Sequence, residues 1–388
     1  MTSYALTGNS ECFNRASFCK SNAPCPRSID APPDGEDMSG IIGHSFAAVL
    51  GLKAAAQRKL PLVSVAQRHF ASYLAGAYLG SDIQVMPEAI CLDTGREVGF
   101  GTVPLEKSPI TGGAVRQFRL ATPEGPLTAY QVHEKFYGRS HLVFGWTKGD
   151  AQLRVPWDHL PDYFAAVIAD AFALFGPGER PLAYALGWIV HVVSDSLIKS
   201  IQPGIDLHLI DGKYTARNRP VQDLVTFHEL GVKEFHLHWP ALFADLAETP
   251  VEPLQLHYMR ATAPRGELAR LFPDGWLPER EPTLRAVLAE NRRYVRHHAE
   301  DVLANMELHE TPHGPECSEA VRETTGLNYA EILDAAKQAD FRHALWQMGG
   351  QIAEMFAAVS HRSPKLAAFP ADDGPGWDAI AAGWRKSR

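Results

Sequence analysis

Apolar residues recur at three- and four-residue steps from Gly40 to Arg58, with Ile42, Phe46, Val49, Leu50 and Leu52 broadly on one side, and this spacing predicts a helix. Pro61 opens a second predicted helix, in which Val65, His69, Tyr73, Ala77 and Tyr78 recur through Gly80. Over 88–130 the character changes. Gly, Thr and Pro become frequent, and Thr111-Gly112-Gly113 and Pro123-Glu124-Gly125 read as turns, so short strands or long loops are expected there. Helical spacing returns at Pro161–Phe175, Pro181–Lys199, Pro220–Leu246, Glu281–Leu303 and Tyr329–Ser360. The stretch from Pro181 is almost wholly apolar at first, which predicts burial on most sides. In the last stretch Ile332, Ala335, Ala339, Ala344, Met348 and Ile352 form an expected core stripe. Residues 1–38 carry no apolar period. The pattern therefore predicts a mainly α chain: an irregular lead over 1–38, then one helical domain over 39–388. That domain has a β-like insertion at about 88–130 and further helices from about 240.

Composition narrows the function classes. Of 388 residues, 45% are hydrophobic and 21% charged, which is ordinary globular usage. The net charge of −8 argues against a general nucleic-acid binder, so no stable nucleic-acid partner is expected. No uninterrupted apolar run of about eighteen residues occurs, so no transmembrane segment is expected. Met1 to Ile29 is polar and shows no leader-like apolar region, which points to a cytoplasmic protein. Cys12, Cys19 and Cys25 in the lead, with Cys91 and Cys317, fit neither a disulfide framework nor a metal knuckle, so free thiols are expected.

The unusual count is 17 histidines. The most informative segment is Ala183-Tyr-Ala-Leu-Gly-Trp-Ile-Val-His-Val-Val-Ser-Asp195. On a helix His191 and Asp195 lie about 40° and roughly 6 Å apart, so both reach one side. An imidazole and a carboxylate at that spacing can clamp a divalent cation such as Zn²⁺. A carboxylate among Leu, Trp, Ile and Val also needs a metal or a cationic neighbour. The bland alternative is a hydrogen-bonded His–Asp pair inside a helical core. Further candidates accompany the pair: His44 after Gly43, Asp82 at the end of the second helix, His141 in Ser140-His-Leu-Val-Phe144, His208 after Gln202-Pro203, and His228-Glu229. Donors from several helices can converge inside a bundle.

In this order the pieces resemble the zinc-dependent phospholipase C family, related to the S1/P1 nucleases. The matching positions are His44, the helix ending Leu-Ala-Gly-x-x-x-Gly-Ser-Asp82, Ser-His141-Leu-Val-Phe, Leu-Gly-x-x-x-His191-x-x-x-Asp195, Gln202-Pro203 before His208, and His228. The resemblance covers roughly residues 40–235. It implies a multi-helix phospholipase C/P1 nuclease-like bundle holding two or three zinc ions, with a metal-bound hydroxide cleaving a phosphate ester. Carried over residue by residue, Asp82, His141, His191 and Asp195 would ligate the first ions, with Asp82 also orienting the attacking water. Asp195 would bridge toward an ion held by His44, and His208 and His228 would hold the remaining one. The chain departs from the family pattern in its N-terminus, in the residues between Gln202-Pro203 and His208, and in Val232, where the family has Glu. Asp206, Asp223 and Glu229 are therefore alternative ligands.

Other residues carry less weight. Ser140 and Ser194 are within reach of ligand rings, and Arg139 and Lys199 of a phosphate, although solvated positions are their usual home. His133 is a stand-in for His141. His236 and His238 are expected on different helix faces, and His297-His298 on a basic solvated face. His309 and His313 are expected in a loop, His343 and His361 in structural positions. The substrate is expected to be a small-molecule or lipid phosphate ester. For a nuclease, Trp146, Trp157 and Trp188 are the available aromatic platforms. Two other readings remain: iron held by the same ligands for oxidative chemistry, and a non-catalytic helical domain.

Overall fold

The computed structural model describes residues 40–80, 87–95, 97–98, 105–108, 111–132, 157–176, 178–198, 217–261 and 281–363. The chain divides into two units, Met1–Asp34 and Gly35–Arg388, and every described residue belongs to the second. That unit is mainly helical.

Helix α1 (Ile41–Gln57) ends where Lys59 takes a left-handed backbone (φ 55°) just ahead of Pro61. The single helix expected from Pro61 to Gly80 is two: α2 (Leu62–Arg68) and α3 (Phe70–Leu79), broken at His69 (φ −118°, ψ 44°). The break has an electrostatic cause. Glu179, fully buried, pairs with Arg68 (Nη2–Oε1 2.5 Å) and with His69 Nε2 (2.9 Å), drawing the junction of α2 and α3 onto the start of a later helix. These bonds hold the Glu179 carboxyl below its usual range even though burial opposes it.

The excursion does contain short strands. β1 (Ala89–Cys91), β2 (Glu97–Val98) and β3 (Val115–Gln117) form an antiparallel sheet in the order β2-β1-β3. It leads to a single turn, α4 (Ala129–Val132), whose Ala129 and Val132 pack with Leu256, Leu284, Val287 and Leu288 of two later helices.

Next come α5 (Leu160–Phe175) and α6 (Glu179–Ile198). Every residue of α6 from Pro181 to Leu197 is buried, as its apolar sequence predicts. The stretch expected as one helix over 220–246 is three pieces. α7 (Asn218–Leu224) runs into a π-helical segment (Val225–Val232); the chain then turns through His236 (φ 55°) into α8 (Trp239–Glu248). Helices α9 (Glu252–Ala261) and α10 (Glu281–Asn305) follow. A hairpin, β4 (His309–Thr311) and β5 (Gly314–Glu316), puts His309 on a strand rather than in the expected loop, while His313 lies in its turn. Helices α11 (Glu319–Thr325), α12 (Tyr329–Gln338) and α13 (Phe341–Arg362) complete the described chain. The last two were expected as one helix, and Asp340 in the left-handed region (φ 48°) separates them.

The central contact is between α3 and α6. A Cβ at Gly187 would meet Ala77 N at 2.7 Å and Gly76 Cα at 2.9 Å, and would overlap the Tyr73 carbonyl; a Cβ at Gly76 would overlap the Tyr184 carbonyl. The two backbones touch because neither residue has a side chain. Gly187→Ala is therefore expected to destabilise by about 3 kcal/mol or more through overpacking. Gly350→Ala on α13, where a Cβ meets nothing within 4 Å, should stabilise by about 0.5–1 kcal/mol. Urea midpoints of the two variants check the pair, and equal shifts would remove the α3–α6 contact as the tight seam.

Candidate metal centre

Three expected ligands meet. His44, near the start of α1, and His191 and Asp195, one turn apart on α6, are 0%, 2% and 0% exposed. One ligand atom from each lies within 4.8 Å of the others. The two imidazoles stack with centroids 4.3 Å apart and planes at 14°. His44 Nε2 is 3.5 Å from Asp195 Oδ1, and His44 Nδ1 is 3.2 Å from Ser194 Oγ. The first of these is longer than an ordinary N–H···O hydrogen bond of about 2.7–3.2 Å.

Helix α3 orients His191. Its Nδ1–H donates to the Ala77 carbonyl (3.0 Å), so the neutral ring carries its lone pair on Nε2. Gly80, at the C-terminus of α3, makes room for the ring: its φ is 48°, and a Cβ there would lie 2.7 Å from His191 Cγ. The Tyr184 hydroxyl, two and three turns before the ligands on α6, donates to the Gly80 carbonyl and pins that terminus. Two imidazoles and one carboxylate, held from two helices and removed from water, form a donor set that fits Zn²⁺ or Fe²⁺. A buried carboxylate is costly unless charge compensates it, and a divalent cation among these atoms would do so.

The remaining expected ligands fall into two groups. Asp82, His141 and His208 lie outside the described residues, as do Asp206, His133, Arg139, Ser140, Lys199 and Trp146. His228 is described and is not brought to the triad. It sits on the π-helical segment, its Nε2–H donates to the Met306 carbonyl (2.6 Å), and burial pushes its pKa down. Glu229 beside it takes bonds from Lys233 (2.7 Å) and from the Tyr329 hydroxyl (2.8 Å). Asp223 is buried on α7 with Arg219 Nε at 3.8 Å. Burial outweighs that guanidinium and pushes its pKa up to about 6.

Several lesser expectations are corrected. His297 is exposed, but His298 lies in parallel over Tyr78 (6.4 Å, 5°), and burial pushes its pKa down to about 3, with Arg219 adding to the effect. His236 and His238 are not on a helix, and His238 Nδ1 accepts from Ala241 N to cap α8 (3.2 Å). Trp188 is no platform: it is fully buried, edge-on to Phe164 and stacked on Tyr258 at 5.3 Å. His343 and His361 are exposed. Sequence reasoning gave no site role to His69, the Ala77 carbonyl or Gly80. A backbone acceptor leaves no mark in a sequence, whereas the Gly at the helix end was visible.

The shifted groups on α7 and α10 predict opposite pH trends. Asp223 has a folded pKa above its usual value of 3.8, so its contribution is complete below about pH 4 and is lost as pH rises through about 6, by at most about 3 kcal/mol. His298 has a folded pKa below 6.5, so its contribution is present above that value and is lost as pH falls toward 3. Relative to Asp223→Asn, wild-type stability should fall between about pH 4 and pH 7; relative to His298→Gln it should rise. Urea titrations across that range check both, and parallel curves would remove the shifts.

No protein-family model, curated protein or solved structure matches this chain.

Proposed function

We propose that the protein is a metal-dependent hydrolase of phosphate esters, built on a helical scaffold like that of the zinc-dependent phospholipase C family. The observation that carries this reading is the buried His44–His191–Asp195 group. It joins the first of the matching motifs to the strongest, His44 and His191 standing 147 positions apart in the chain. A divalent ion held there supplies Lewis acidity toward a phosphoryl oxygen and brings the pKa of water toward neutrality.

The chain's own residues do the rest. His191 and His44 are neutral donors, and Asp195 offsets the ion's charge. The Ala77 carbonyl fixes the His191 ring, and the α3–α6 seam keeps that acceptor against it. In the resemblance Asp82 orients the attacking water, and Asp82, His141 and His208 complete one or two further ion positions. His228 donates Nε2–H to the Met306 carbonyl and is not among the donors gathered around His44, His191 and Asp195, so the ion at that triad is the one this reading rests on. With Trp188 in the core, a small-molecule or lipid phosphate ester suits the site better than a nucleic acid. Among the described residues no helix is long and apolar enough to cross a membrane, so a lipid substrate would be met from the aqueous side.

One observation favours a second reading. Two histidines and one carboxylate are also the donor set of non-haem iron sites with oxidative chemistry. Elemental analysis of protein purified without added metal separates the two, alongside His191→Ala and Asp195→Ala and assays on chromogenic phosphomonoesters and phosphodiesters. The expected result is stoichiometric zinc and ester cleavage in the wild type, with both lost or reduced by about 100-fold or more in each variant. Iron without ester cleavage would establish the second reading. Substoichiometric metal of every kind would overturn both.

A further inference from the structure

We infer that Ser194 is a positioning residue that holds His44 in the tautomer protonated at Nδ1, so that its Nε2 lone pair is kept for a cation shared with Asp195. This rests on the metal-binding reading above and assigns one side chain the task of keeping that site open.

The Ser194 hydroxyl has a single proton, and it donates that proton to the His191 carbonyl at 3.1 Å. The same oxygen lies 3.2 Å from His44 Nδ1 in the interior. While its proton stays on that carbonyl, Ser194 Oγ accepts from His44, and His44 Nδ1 donates. A neutral imidazole has one N–H, and Nε2 therefore carries the lone pair. That nitrogen faces Asp195 Oδ1 at 3.5 Å. A cation held by both would join that lone pair to the carboxylate.

The other neutral tautomer would undo this arrangement. A proton on Nε2 would let His44 donate to Asp195 and close a neutral hydrogen-bonded pair, leaving no lone pair for a metal. Ser194 disfavours that state, because its hydroxyl would have to leave the His191 carbonyl to donate to a bare Nδ1. One hydroxyl thus ties α1 to the helix that carries the other two ligands and decides what the His44–Asp195 pair can bind. For His191 the corresponding acceptor is the Ala77 main chain, which substitution cannot remove.

The test reads the tautomer directly. Long-range ¹H–¹⁵N spectra of imidazoles are recorded on metal-stripped wild type, Ser194→Ala and Ser194→Thr in mildly alkaline buffer, with His44 signals assigned by their loss in His44→Gln. Zinc affinity is measured on the same proteins by chelator competition. The wild type should show His44 protonated at Nδ1, and Ser194→Ala should move the proton to Nε2 and weaken zinc binding by about 10–100-fold. Ser194→Thr, which keeps the hydroxyl, should restore both. A wild type protonated at Nε2 overturns the inference without recourse to any variant. So does Ser194→Ala with the wild-type tautomer and affinity within about twofold. A wild type that takes up no zinc overturns the metal reading and the purpose given to Ser194, while the metal-free spectra separately report whether Ser194 sets the tautomer.

Discussion

Backbone contact between α3 and α6 at Gly76 and Gly187 governs where the donors of the buried site stand. Two helices that close bring the C-terminal turn of α3 against the second half of α6. The Ala77 carbonyl can then take the His191 proton, and Gly80 can lie flat against its ring. A side chain at either seam glycine would push the helices apart, and a shift of an ångström would break a hydrogen bond and reopen the site to water. Helix α1 joins the pair through Tyr73, whose hydroxyl donates to the Ala48 carbonyl at 2.9 Å and fixes the helix that carries His44. The ligand geometry is thus a consequence of main-chain packing, and the donors themselves could not enforce it.

Much of this was legible in the chain. A period of three to four gave α1, α5 and α6 to within a residue or two, because each is a long helix whose apolar positions face one core. His191 and Asp195 were readable as a pair because helical geometry alone puts them on one side. Failures came where a single residue overrides propensity. His69 breaks a well-formed apolar period to meet Glu179, 110 positions away. Asp340 and His236 adopt left-handed backbones that no periodicity announces. The π-helical segment keeps the apolar spacing of an α-helix closely enough to be read as one, yet it rotates His228 and Glu229 toward Met306 and Tyr329. The α-helical spacing assumed through 228 is therefore not the local geometry that carries that histidine.

The way this interior deals with its other acids clarifies Asp195. Glu179 is paired with Arg68 and His69, and Glu252 with Arg292 at 3.0 Å. Glu88 sits mostly among apolar groups, and burial moves its pKa upward, toward the neutral acid. Asp223 stands between these cases, with an arginine too distant to cancel the cost of burial. Pairing with a guanidinium and an upward pKa shift under burial are thus both found within this fold. Asp195 meets something different: an imidazole nitrogen at 3.5 Å, in a ring stacked on a second imidazole whose Nδ1 proton is committed elsewhere. A helix aimed only at stability could have placed an arginine or an apolar residue there at less cost. Two oriented imidazoles beside this carboxylate give it the company of a metal ligand, which is what the proposed centre requires.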